Sequence, residues 1–234
     1  LMHMDKQKIP YYLAHAEMGK IIISGMAFYF FLKELKVSSV YSILFSLCYA
    51  FSGFIIMGGS WVIYSIEAMN IAIILYGFER WMQHKKIFWF AFGITLLTFL
   101  QPALLLPWTF FLATYIIARY FDLHEKGGMD LVLFLAKTAG IAAIGVCLAG
   151  YQLLPDILQV IESPRVGGDA GMSDKLKASG MFDMAEPWLR FTTVFRTFGT
   201  DMVGNGNNFK GWYNYLEAPV FYCGLFALVA FPLF

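Results

Sequence analysis

Charge is scarce in this chain. Only 14% of its 234 residues are Asp, Glu, Lys or Arg, where an ordinary soluble domain carries roughly 25%, and the formal net charge is +1. No basic patch with interleaved aromatics occurs, so nucleic acid is not expected as a partner. Cysteine is scarcer still. Cys48, Cys147 and Cys223 each lie inside an apolar stretch, with no C-x-x-C and no metal-ligand spacing, and read as small buried apolar residues. His3, His15, His84 and His124 are scattered, with no carboxylate at ligand spacing, so no metal site is expected. There is no G-x-S-x-G, no P-loop and no glycine-rich dinucleotide fingerprint, and nothing in the chain implies a cofactor.

Apolar residues are what the chain has in abundance: 59% are hydrophobic and 18% aromatic. They recur in stretches of about 15 to 25 residues between short basic clusters, close to the length that crosses a bilayer as a helix. The expected fold class is therefore an all-α polytopic membrane protein with about seven transmembrane helices. The spans are placed at 17–32, 40–57, 62–78 and 87–100, then a fifth ending at Arg119, a sixth over 131–154, and a seventh from about Leu216. Ile9-Pro10 is expected to break any earlier helix. No cleavable signal precedes the first span, and Leu225 to Phe234 stop within an apolar run. The chain reads as an internal piece of a longer protein.

The charges that remain assign sides. The turns 33–38, 79–86 and 119–130 contain Lys33, Lys36, Arg80, Lys85, Lys86, Arg119 and Lys126, whereas the turns 58–61 and 101–107 contain no Lys or Arg. Basic short loops face the cytoplasm. Residues 1–155 are thus a bundle of six spans, residues 156–214 an extracytoplasmic segment, and residues 215–234 the seventh span. Lys137, about two turns into the sixth span, is expected to snorkel to the cytoplasmic surface. Trp61, Trp81, Trp89, Trp108 and Trp212 fall near span ends, as interface aromatics do.

Gly150 to Arg165 joins bundle and external segment. Pro155 is expected to interrupt the helix there, and Ser163-Pro164 to end its continuation. Beyond it, 186–198 has helical periodicity, with Trp188, Phe191, Val194, Phe195 and Phe198 on one face and Pro187 suited to the first helical position. Such a helix is expected to lie in the outer interface, apolar face down. Glu67 is the sharpest catalytic candidate, since an acid inside a span is usually functional or paired. The other reading makes it an interface anchor at a helix N-terminus starting at Ala68. Arg165, Arg190 and Arg196 are expected at the outer surface, where guanidinium suits a lipid phosphate or ordinary contact with anionic lipid. Asp156 and Asp169 could accept a proton or bind sugar hydroxyls, or be solvated loop acids.

Several short motifs carry a resemblance. Lys20-Ile-Ile-Ile-Ser-Gly-Met-Ala-Phe-Tyr-Phe and Cys48-Tyr-Ala-Phe-Ser-Gly-Phe54 resemble early motifs of the bacterial YfhO membrane protein family. Leu75-Tyr-Gly-Phe-Glu-Arg80, Tyr151-Gln-Leu-Leu-Pro155 running to Ser163-Pro-Arg165, and the span from Asn214 to Leu225 are similar to later ones. The resemblance implies a C-type glycosyltransferase fold in the bacterial inner (cytoplasmic) membrane. It also implies partners: membrane lipid, a polyprenyl-phosphate-sugar donor, and an envelope glycopolymer or glycoconjugate acceptor. The family's catalytic acid usually lies in a first external loop upstream of residue 1. Two other functions stay open on the sequence: a lipid or polysaccharide transporter or flippase, and a non-catalytic scaffold subunit of an envelope complex.

Overall fold

A computed structural model of the chain describes residues 8–58, 62–124, 128–162, 187–196 and 198. Among them every element is helical. The first helix, α1 (Ile9–Glu34), starts at the Ile9-Pro10 pair expected to break it. Proline is tolerated in a first turn, where its missing N–H has no intrahelical acceptor anyway. α1 closes with Lys36 in the left-handed region (φ 63°), the Val37 N–H donating to Leu32 O at 3.1 Å and the Lys36 N–H to Lys33 O at 3.0 Å. This is the double bond of a Schellman end. Lys33 Nζ adds a bond to Val37 O at 3.1 Å.

The expected span 40–57 is split into α2 (Ser39–Ala50) and α3 (Gly53–Gly58). At the joint the Ser52 N–H bonds to Tyr49 O at 3.1 Å, a tighter turn than α-helix. α4 (Val62–His84) runs six residues past the expected end at Phe78. α5 (Phe88–Leu100) has 13 residues, and a 3-10 turn over Pro102–Leu104 leads into α6 (Leu105–Leu123), whose first turn holds Pro107.

α7 (Met129–Leu148) and α8 (Gly150–Glu162) correct the expected sixth span. The axis breaks at Ala149, whose N–H bonds to Val146 O at 3.1 Å and whose carbonyl caps Gln152 and Leu153. Pro155 lies inside α8 without ending it. Because the helix restarts at Gly150, proline removes only one of its early bonds, to Tyr151 O. α9 (Pro187–Phe195) falls within the stretch 186–198 expected to be helical. Ser163-Pro164 and the seventh span from 216 lie outside the described residues.

Three helical stretches are long and apolar enough to cross a membrane: Ser39–Ile56, Pro102–Leu123 and Met129–Leu148. At 1.5 Å per residue their 18 to 22 residues reach about 30 Å. α1 and α4 reach 26 and 23 residues but carry several charges. Few residues of α6 and α7 are buried (Leu112, Ile116 and Tyr120; Thr138, Ile141 and Gly145), and Phe110, Phe111, Phe121, Val132 and Ile144 are exposed. In water this would be an adhesive surface, whereas a lipid environment satisfies it.

The chain divides into two compact units, Leu1–Ala72 with Ser179–Phe234, and Ile73–Ala178. In the first, α1 packs on α2 through Phe28 stacked on Tyr49 (4.3 Å) and through Gly25 facing Ala50. The hydroxyls of Ser24 and Ser46 are turned back onto carbonyls of their own helices at 2.7 and 2.9 Å, which lets small polar residues be buried between helices. In the second, Phe78 is fully buried among the rings of Phe90, Tyr115 and Phe134. Gly93 meets Ile74 and Gly145 meets Ala91 and Ile94, so α5 sits against both neighbours at backbone distance.

Candidate functional site

Glu67 lies in the second turn of α4, half-buried. α4 begins at Val62, so no helix starts at Ala68 and Glu67 lies inside α4. Asn70 follows it by three residues, on the same helix face. Asn70 is wholly buried, and its amide nitrogen and oxygen have no hydrogen-bond partner among the described residues. Tyr49 completes this region of the first unit, its hydroxyl donating to Ala68 O at 2.7 Å.

Asp156 belongs to the second unit and sits on α8, half-buried, where Gln152 Nε2 donates to both carboxylate oxygens at 3.2 and 3.4 Å. The residues are four apart, so they are neighbours on one helix face. On the rest of α8, Tyr151, Leu154, Leu158 and Ile161 are exposed. α8 therefore exposes an apolar stripe, with Gln152 and Asp156 half-buried beside it. α9 repeats the arrangement: Trp188, Phe191, Val194 and Phe198 are exposed, while Thr192 and Arg196 are 2% and 1% exposed. Arg196, expected at the outer surface, is thus buried, whereas Arg190 is exposed. The reason is spacing: 192 and 196 lie four apart, on a stripe turned inward when the aromatic face turns out. Arg165 and Asp169 lie outside the described residues.

The strongest polar constellation was not among the sequence candidates. Glu79 is fully buried near the end of α4 and accepts four hydrogen bonds. Arg119 donates through Nε to Oε1 (2.9 Å) and through Nη2 to Oε2 (3.2 Å), Tyr115 Oη donates to Oε1 (2.7 Å), and Gln83 Nε2 donates to Oε2 (2.9 Å). Arg119 also reaches Asp122 at 3.3 Å. Donors from both helices meet on this one carboxylate, so the cluster pins α6 to α4. Its sequence signal was faint: Glu79 and Gln83, and Tyr115 and Arg119, are each four-residue pairs on one helix face. Nothing in the sequence linked the two pairs across 36 to 40 positions.

Among the described residues no group of three or more His, Cys, Asp or Glu comes together as a metal site. Comparison with protein-family models, curated proteins and solved structures finds no match to this chain.

Proposed function

We propose that the protein is a polytopic glycosyltransferase of the C-type fold, with about seven spans and akin to the YfhO family. On this reading it works in the bacterial cytoplasmic membrane, moving a sugar from a polyprenyl-phosphate carrier to an envelope acceptor on the extracytoplasmic face. The observation that carries the reading is α8. Directly after the long apolar α7, it offers lipid an exposed apolar face while holding a carboxylate, Asp156, on its polar face. Transfer from a lipid phosphate requires a base that can reach the headgroups, and Asp156 follows a helix long enough to cross the bilayer.

Asp156 would take the proton of the acceptor hydroxyl as its oxygen bonds to the sugar's anomeric carbon. The bond from that carbon to the phosphate breaks, and the carrier leaves as polyprenyl phosphate. The basic turns 33–38 and 79–86 support the sidedness.

The test is transfer of radiolabelled sugar from a polyprenyl-phosphate donor to envelope glycopolymer, with the full-length protein in proteoliposomes. Asp156→Asn should lower the rate about 100-fold, the lower end of the effect of losing a general base. Glu162→Gln, altering an exposed carboxylate on the same helix, should leave it unchanged. A fully active Asp156→Asn variant would remove Asp156 from the chemistry. No transfer from any such donor would end the reading.

A further inference from the structure

A cleft of about 600 Å³ opens where α4 and α6 end and α7 begins, wholly within the unit Ile73–Ala178. Trp81 and Lys85 line it from the end of α4, Tyr120 and His124 from the end of α6, and Asp130 and Lys137 from the first half of α7. These ends belong to the basic turns 79–86 and 119–130, so the cleft lies on the side that the charge pattern assigns to the cytoplasm.

The walls are aromatic and braced. Trp81 Nε1 donates to Thr138 Oγ1 at 3.1 Å, and Tyr120 stacks on His124 at 4.5 Å and leans on Phe134 at 5.2 Å. Lys85, held in the left-handed conformation (φ 57°), places Nζ 5.4 Å over the Trp81 ring and donates to Met82 O at 3.0 Å. An ammonium has three donors, so two remain. Lys137 has no hydrogen bond or ion pair among the described residues, yet it sits in the apolar α7, about 12 Å along the axis from Met129. A charge there needs water or a counter-charge. Asp130, seven residues and about 10 Å of axial rise away, makes no ion pair with it.

We propose that this cleft binds the phosphodiester headgroup of an anionic membrane lipid. Lys85 and Lys137 meet the phosphate, and Trp81 and Tyr120 pack against the glycerol region, at the depth where such rings settle. The lysines and the carboxylate of the lining, Lys85, Lys137 and Asp130, sum to a single positive charge, which suits a singly charged diester. The proposal rests on membrane residence and on the side of the basic turns, and not on glycosyl transfer.

Native mass spectrometry of the full chain released from detergent tests it, with phosphatidylglycerol, phosphatidylcholine and free glycerol 3-phosphate as probes. The wild type should retain one phosphatidylglycerol with about tenfold preference over phosphatidylcholine, given two lysines near one phosphate. Lys85→Gln and Lys137→Met should each weaken that retention about fivefold, and Lys137→Arg should keep it. Lys137→Met removes a charge from an apolar helix, so it should fold at least as well, shown by an unchanged melting curve without lipid. Equal retention of both lipids, or variants that bind as the wild type does, would overturn the site. Displacement by glycerol 3-phosphate at matched concentration would overturn the lipid as its ligand.

Discussion

Arg119 grips Glu79 with two of its nitrogens, Nε at 2.9 Å from one carboxylate oxygen and Nη2 at 3.2 Å from the other, and the carboxylate is wholly buried. Removing the cation leaves an uncompensated charge. Arg119→Met should therefore cost about 3–5 kcal/mol of stability. Tyr115→Phe, which deletes one donor to the same charge, should cost about 1.5–3 kcal/mol. The double variant Glu79→Leu/Arg119→Met should be less harmed than Arg119→Met alone, because no charge is stranded. Unfolding in mixed micelles at rising denaturing-detergent fraction reads all three. An Arg119→Met protein as stable as the wild type would remove the cluster's structural role.

Gly77 is where α4 and α5 come closest. A Cβ built there would land on the backbone of Trp89 and Phe90, which no side-chain rotation relieves. Gly77→Ala should cost about 3 kcal/mol, the upper end of ordinary overpacking. Gly140 on α7 has nothing within 4 Å of its added Cβ. Gly140→Ala should be neutral or gain up to about 1 kcal/mol from helix propensity. The same micelle unfolding curves compare them, and equal effects would contradict the close approach.

Sidedness is tested by labelling. With Cys48, Cys147 and Cys223 replaced by alanine, Glu162→Cys should react with an impermeant maleimide on intact cells. Lys86→Cys should react only after permeabilisation. Both positions are exposed, so access depends on the membrane alone. The reverse pattern would turn the protein over and move Asp156 to the cytoplasm.

Much of the helical layout was legible because it is local. Apolar runs 40–57 and 131–154 announced Ser39–Ile56 and Met129–Leu148, and Pro187 with its aromatic periodicity announced α9. Prolines misled. Pro10 sits in a first turn, and Pro155 inside α8, because a proline's effect depends on where the helix starts. A residue-by-residue reading does not know that start.

Composition and periodicity by themselves made this chain helical and suited to lipid, since each helix satisfies its own backbone and hydrophobicity needs no partner. Only the tertiary structure decided which polar groups turn inward. It paired Glu79 with Arg119 across 40 positions, buried Arg196 while exposing Arg190, and brought Lys85 and Lys137 to one cleft. Such choices depend on which helix faces pack together. That is a property of contacts between distant segments, and no single stretch of sequence contains it.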